Sequence, residues 1–253
     1  MPTSSPHALP GNAGFAFVGE RLAPAASLPP RMAERVLGMR NPHGKPNADV
    51  MRQIATAPDP RRPGLLWQID FPAELNEHEA ALYEYPFHHL YRTVRPKRAR
   101  WWVNPQADPR LRTALARRER YLATPIGDKL PAFQWHQATH IPDDSLLVVA
   151  RDDDFTHGLL AARPFALWWD RFHSRRTPMF AFESFPFTWP LSTGLNALSA
   201  TQEELRHAVA RAARSGNAEQ LSGAVTLAYG WPAELDEGEM LARLVELNGQ
   251  RRA

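Results

Sequence analysis

The chain has no cysteine among its 253 residues. This absence excludes disulfide bonds, zinc sites with cysteine ligands and thiol catalysis. No apolar run approaches the roughly 18 residues that a membrane span needs, and the first residues lack the basic and apolar regions of a signal peptide. We therefore expect a cytoplasmic protein that does not associate with membranes.

Several catalytic motifs are missing as well. A DNA methyltransferase that modifies an exocyclic amino group needs a glycine-rich turn for S-adenosylmethionine and an Asn/Asp-Pro-Pro-aromatic loop for the flipped base. The segments NPHG (41–44) and NPQA (104–107) lack both the second proline and the aromatic residue. The sequence also has no GxxxxGK[ST] loop and no GxSxG elbow. We expect no catalytic residue in this chain and no enzymatic activity of the chain on its own.

Metal ligands are scarce in the sequence. A magnesium nuclease needs clustered carboxylates and a lysine, but no ExK motif follows the acidic clusters Asp143–Asp144 and Asp152–Asp154. We interpret both clusters as loop and cap residues, with a divergent nuclease at Asp152–Asp154 as an alternative. The ten histidines show no ligand spacing, and the adjacent His88 and His89 point in different directions around a helix. We expect structural or surface histidines and no metal site.

What the sequence does contain is a concentration of positive charge over residues 89–129. This segment has nine arginines and two lysines against three acids, a net charge of +8, whereas the whole chain carries +3. An arginine-rich helix is often only a solvated face with local ion pairs, but few acids lie nearby in the sequence. Guanidinium groups with flanking aromatics suit phosphates and bases. The segment therefore favours contact with nucleic acid, although we expect its pair Trp101–Trp102 to be largely core.

Apolar periodicity predicts an α/β (α+β) fold with a mixed sheet, packed helices and a small helical C-terminal appendage. The 24 prolines are about twice the usual ~5% share and indicate irregular connections. We expect Phe180, Phe182, Phe185 and Phe187 in the core. The predicted helices are 30–39, 75–91 with a kink or split at Pro86, 107–121 capped by Asp108, 155–171, 201–216 and 229–253. The predicted strands are 15–22, 65–71, 121–125, 132–136 and 145–150.

The chain divides into three predicted parts. Residues 1–14 are expected to be a flexible leader, 15–190 the mixed α/β body, and 191–253 a helical C-terminal subdomain. Residues 196–253 carry eight acids and six bases, so the tail is acidic. No internal repeat or low-complexity tract interrupts this order.

Six ordered blocks resemble the C-terminal part of type IIG/IIL (MmeI-like) restriction–modification enzymes and their relatives in phage-defence systems. These enzymes are large adenine-specific DNA methyltransferases. The resemblance covers roughly residues 15–250 and rests on the order of the blocks. The blocks are NPHGKPNADVMR (41–52), LWQIDF with the helix that follows it (66–98), residues 99–125, residues 146–169, RTPMFAFESFPF (176–187) and residues 228–248.

The resemblance implies that residues 15–190 are a target recognition domain that docks in the major groove of DNA. It implies a sequence-specific recognition module for double-stranded DNA whose methyltransferase domain, with its S-adenosylmethionine, lies outside this chain. That domain would be fused in a longer parent or carried by a separate subunit. The alternative is a docking subunit of a defence-system methyltransferase or nuclease complex, bound through the acidic tail and with no base reading of its own.

Candidate DNA contacts fall into two groups. We assign phosphate contacts to outward-facing basic residues, and we expect Arg112 also to project mostly outward. In the resembling family a basic residue at the position of Lys129 lies near DNA, and bases are read from a glycine-rich loop that is shortened here to residues 170–174. Packing against Glu183 is an alternative for Arg175 and Arg176. The phosphate group comprises Arg95, Lys97, Arg98, Arg100, Arg117, Arg118 and Arg120, and the base-reading group comprises Lys129, His173, Arg175 and Arg176.

Overall fold

The computed structural model describes residues 5–58, 66–94, 99–127, 130–174 and 177–252. These residues form a mixed α/β fold with two four-stranded sheets, which confirms the expected class. The strands are β1 (Ala16–Val18), β2 (Ser27–Leu28), β3 (Met51–Ala55), β4 (Trp67–Ile69), β5 (Arg120–Pro125), β6 (Gln134–Gln137), β7 (Ile141–Pro142) and β8 (Leu146–Val149). The helices are α1 (Pro30–Leu37), α2 (Glu77–Ala81), α3 (Glu84–Val94), α4 (Pro109–Ala116), α5 (Asp154–Ala161), α6 (Arg163–Phe172), α7 (Phe180–Ser184), α8 (Ala200–Ser215), α9 (Ala218–Ala228) and α10 (Glu237–Gln250).

The first sheet has the order β1-β8-β5-β6 and is antiparallel throughout. Alternate residues of each strand point to opposite faces. Tyr121 and Val148 belong to the core under α4, whereas Leu122 and Val149 belong to the core shared with α5 and α6. Because helices cover both faces, all four residues of β8 are buried. This explains why β8 reads as a continuous apolar run.

The second sheet has the order β2-β4-β3-β7, with β3 and β7 parallel and the other pairs antiparallel. Its core includes Ile69 and Phe71 together with residues of α1, α2 and α3. Trp101 and Trp102 belong to this core and are each 6% exposed, which confirms their expected location. The two sheets meet where β7 runs on to Asp143, which forms a parallel bridge with Glu20 just after β1.

Helix ends follow local sequence signals. Asn76 and Glu79 form a complete capping box at α2. The predicted helix 75–91 is split into α2 and α3, and Pro86 lies in the first turn of α3, where a missing N–H costs nothing. The predicted helix 155–171 is likewise two helices, because Pro164 starts α6 after a break at Ala162. No helix within the described ranges is long and apolar enough to cross a bilayer.

The C-terminal helices pack onto the first sheet's helical layer. Val209 of α8, Val225 of α9 and Leu244 of α10 join the same core as α5 and α6. At Gly158 of α5 an added Cβ would lie 2.9 Å from Val209 Cγ1, so glycine permits the close approach of α5 and α8. Phe182, Phe185 and Phe187 are fully buried as expected, and Phe180 is half-buried.

Residues 9–12 of the predicted leader pack against this body. The Leu9 amide donates to the Glu183 carbonyl, and the Asn12 side chain, 1% exposed, donates to the carbonyls of Phe182, Glu183 and Phe185. One buried amide thus pairs three carbonyls around the end of α7. The sequence has no periodic pattern in this segment that could have revealed the contact, and the flexible leader at 1–14 stays a prediction.

Candidate nucleic-acid interface

The basic segment runs from the last turns of α3 through α4 into β5. Asp108 caps α4 by accepting a hydrogen bond from the Arg110 amide at 2.8 Å, and Pro109 occupies the first helical position, as predicted. Leu111 and Leu115 pack on the first sheet. This fixes α4 flat on the sheet and leaves its other faces to the arginines.

Arg112 does not project outward. Its guanidinium donates to both carboxylate oxygens of Glu20, at 2.7 Å each, and to both oxygens of Asp70, at 2.8 and 3.1 Å. Glu20 is 3% and Asp70 4% exposed. Burial opposes the charged form, but the bonds to Glu20 and Asp70 outweigh it and raise the pKa of Arg112. The outward expectation was wrong because both carboxylates come from distant parts of the chain.

Arg118 and Arg120 also have acidic partners. Arg118 donates to Asp152 at 2.9 Å, and Arg120 donates to Asp154 at 2.8 Å while its guanidinium lies 3.8 Å from the Trp135 ring centroid. Such pairs reduce the charge available to a phosphate. Both phosphate assignments stay predictions, but each would require its arginine to share or exchange a partner.

The aspartates of 152–154 serve the fold, as the cap interpretation predicted. Asp153 caps α5 by accepting hydrogen bonds from the Thr156 amide and hydroxyl. Burial would raise the pKa of Asp154, but its bonds to Arg214 and Arg120 lower it. Asp143 accepts from the amide and hydroxyl of Ser145. In the part of the chain that the structure describes, no group of three His, Asp or Glu side chains is placed to hold a metal.

Arg100 and Arg117 are the two assigned phosphate residues that are exposed and have no ion-pair partner among the described residues. Arg100 has a positive φ of 55°, in the left-handed region that costs a non-glycine residue energy. Its carbonyl accepts a hydrogen bond from the Val103 amide, which closes the turn that contains the buried Trp101. The backbone thus holds Arg100 at the surface while the next residues turn into the core.

The other assigned residues lie outside the described ranges, apart from His173. Its Nδ1 is 2.8 Å from the Trp169 carbonyl, and the imidazole stacks on the Trp169 ring at 5.2 Å and 5°. Because a carbonyl oxygen can only accept, the contact assigns a proton to Nδ1, and in that tautomer Nε2 is an acceptor. The assigned residues outside the described ranges are Arg95, Lys97, Arg98, Lys129, Arg175 and Arg176.

A cleft of about 880 Å³ runs beside α4 and the edge strand β1. Arg110, Arg117 and Arg118 line it together with Met179 and Glu183, which follow the predicted base-reading residues in the sequence. Asp108 lines it too, so the cleft has mixed charge. We call it the α4 cleft. It brings predicted phosphate-contacting residues next to the segment after the shortened loop.

Burial favours the neutral form of three histidines near β6. Desolvation lowers the pKa of His136, His140 and His157 below the ordinary value of 6.5. His136 stacks on Tyr121 at 5.6 Å, and His157 contacts Trp135 at 5.4 Å. These contacts agree with the structural role that we expected for most histidines.

The structure also shows two arginines that we did not assign to the site. Arg40 and Arg92 are exposed, lie in a common groove, and have no ion-pair partner among the described residues. Arg92 belongs to the basic segment 89–129, but it is not among the predicted phosphate-contacting residues. Its position in the last turn of α3, shortly before the basic residues at 95, 97 and 98, could have identified it as a candidate from the sequence.

Comparison with solved structures finds this fold in the type IIL restriction–modification enzyme MmeI, whose structure was determined in complex with DNA. The TM-score is 0.57 and the sequence identity 12%. The match covers 98% of this chain but 36% of the MmeI chain, so this chain corresponds in length to about a third of that enzyme. No family model and no curated protein matches the sequence. The likeness is therefore one of fold.

Proposed function

We propose that this chain is a sequence-specific recognition module for double-stranded DNA in a restriction–modification or related phage-defence system. The observation that carries the proposal is the shared fold over 98% of the chain with an enzyme whose structure holds DNA. The six sequence blocks support it, because they resemble the recognition part of the same class of enzyme. The methyltransferase domain and its S-adenosylmethionine would belong to a longer parent or to a partner subunit.

The ion pairs in the structure reduce the number of arginines that are free to contact the DNA backbone. Ion pairs engage Arg112, Arg118 and Arg120, so the phosphate contacts would centre on Arg100 and Arg117, with Arg95, Lys97 and Arg98 as further candidates. Phosphate contacts set the orientation of the protein but carry no sequence information. Base reading must therefore come from other side chains.

His173 is the candidate base reader that the structure describes. With Nδ1 donating to the Trp169 carbonyl, its Nε2 would accept a hydrogen bond from an exocyclic amino group of adenine or cytosine in the major groove. Lys129, Arg175 and Arg176, if they reach the same groove, would suit guanine O6 and N7. The module would thus read amino-group donors of the bases with His173 and acceptor atoms of guanine with the basic side chains.

Selection from random duplexes tests base reading directly. We expect the chain to enrich a defined motif, and the enriched duplex to bind with an affinity that falls as salt rises. If binding depends on salt but no motif is enriched, even with a methyltransferase partner added, the chain binds DNA only nonspecifically. Absence of DNA binding would remove the proposal.

Arg100→Gly is expected to affect folding stability and DNA binding in different ways. Glycine tolerates the positive φ, so we expect the variant to keep or gain stability, by up to about 1 kcal/mol. Loss of one phosphate contact should lower the slope of log affinity against log salt by about 0.9. Thermal unfolding and a salt titration measure the two effects. Arg100→Lys, which keeps the charge, should retain the slope, and an unchanged slope in Arg100→Gly would show that Arg100 does not touch DNA.

The ion pairs favour one alternative function, a docking subunit without base reading. If the arginines mainly hold this fold together, as Arg112 does, the net acidic C-terminal helices would supply the contact with a methyltransferase or nuclease partner. A salt slope near zero for DNA, together with a stable complex with the partner enzyme, would select this alternative.

A further inference from the structure

A second basic groove lies on the second sheet's side of the molecule. It has a volume of about 640 Å³ and runs between α3 and the segment after α1. Tyr85, His88, His89 and Arg92 of α3 line one wall, and Arg40 lines the other. Residues 85, 88, 89 and 92 are three, four and seven positions apart, so they share one face of α3. We call this the α3 groove.

The charges in the α3 groove are available to a ligand. Arg40 and Arg92 are exposed, and neither has an ion-pair partner in the ranges that the structure describes. Glu84 is the acidic residue of the lining, but it lies in the first turn of α3, about 12 Å along the helix axis from Arg92. That separation exceeds the screening length of about 8 Å at physiological salt. Glu84 therefore neutralises Arg92 only weakly.

Another side of α3 packs against the turn that carries Arg100. Tyr91, which is 55% exposed, packs edge-on against Trp101 with ring centroids 5.6 Å apart. Trp101 directly follows Arg100, so the end of α3 and the turn at Arg100 lie side by side. Arg92 near the end of α3 and Arg100 at this turn are both exposed, and neither has an ion-pair partner among the described residues.

We propose that the α3 groove binds a phosphodiester of the DNA backbone through Arg40 and Arg92. This inference rests on the proposed DNA-binding function and extends its phosphate contacts beyond residues 95–120. Guanidinium groups from two elements on opposite walls can hold one phosphate between them, since each presents a planar fork of donors. A phosphate contact outside the α4 cleft would help to fix the orientation of the duplex without reading its sequence.

The test is the double variant Arg40→Gln/Arg92→Gln in the full chain, bound to the enriched duplex. We expect the salt slope to fall by about 0.9, because the two arginines hold the same phosphate and each lost phosphate contact removes about 0.9. The selected motif should stay the same, since no base contact is lost. The matched control is Arg211→Gln/Arg243→Gln, which removes two exposed arginines from α8 and α10 and should leave the slope unchanged.

Duplexes with a single methylphosphonate supply a second readout. Neutralising the phosphate held in the α3 groove should weaken binding of the wild-type chain but not of the double variant. If the wild-type chain binds with a clear salt slope and the double variant matches the control, the α3 groove is not a phosphate site, while the proposed function stands. If the wild-type chain binds no DNA, both fail. Unfolding midpoints of the variants, expected to be unchanged, exclude misfolding as the cause.

Discussion

Arg112→Ala is expected to lower the free energy of unfolding by about 3–5 kcal/mol. The arginine holds two carboxylates, Glu20 and Asp70, that are almost completely buried, through four hydrogen bonds of 2.7 to 3.1 Å. Removing it leaves two adjacent negative charges with little solvent, and Arg52, 3.3 Å from Asp70, compensates only one of them. Urea denaturation followed by tryptophan fluorescence measures the loss.

Arg110→Ala is the matched control for this prediction. Arg110 lies on the same helix two residues earlier, but its side chain is 84% exposed and its partner Asp108 is also accessible. Exposed pairs contribute roughly 0–1 kcal/mol, so the control should lose about 0.5 kcal/mol or less. Equal losses in the two variants would show that the Arg112 pairs do not stabilise the fold.

The Arg112 contacts also explain how the two sheets are joined. Glu20 follows β1 of the first sheet, Asp70 follows β4 of the second, and Arg112 lies on α4 between them. Glu20 further accepts hydrogen bonds from the Asp108 amide and the Asn104 side chain. The same carboxylate therefore positions α4, the helix that carries Arg117 into the α4 cleft.

Local signals in the sequence were sufficient for the elements whose ends are set by neighbouring residues. Asp108 with Pro109 and the Asn76–Glu79 box each mark a helix start within three residues, and the structure has both. The apolar run of β8 was equally readable, and β5 begins at Arg120, one residue before the predicted strand 121–125. In contrast, β3 and α9 were missed, because β3 carries two polar residues side by side without apolar alternation, and glycine and polar residues interrupt the apolar positions of α9.

The electrostatics of the candidate site could not be read from the sequence. The acidic partners of Arg112 lie 92 and 42 residues away, and those of Arg118 and Arg120 lie 34 residues away. A count of acids near the arginines in the sequence therefore underestimated their pairing. Folding brings Glu20 and Asp70 to Arg112 and brings Asp152 to Arg118. In the folded chain, Arg100 and Arg117 differ from these arginines because they have no ion-pair partner among the described residues.

Gly19→Ala is expected to destabilise the fold by about 3 kcal/mol or more, at the upper end of overpacking effects. A Cβ at Gly19 would lie 2.0 Å from the carbonyl oxygen of Asp143 and 2.7 Å from that of Pro142. Both neighbours are backbone atoms, so no side chain can turn aside. The Gly19 amide donates to the Leu146 carbonyl at 3.0 Å, which ties the strand end in place. Chemical denaturation again measures the loss.

Gly223→Ala is the control, because Gly223 lies within α9 with nothing within 4 Å of an added Cβ. Alanine there should be neutral or stabilise the helix by up to about 1 kcal/mol. Because Gly19 directly precedes Glu20, the clash should also displace the carboxylate that Arg112 holds. Combining Gly19→Ala with Arg112→Ala should then cost less than the sum of the single changes, since both disrupt one junction. Full additivity would mean that the sheet junction and the Arg112 contacts stabilise the fold independently.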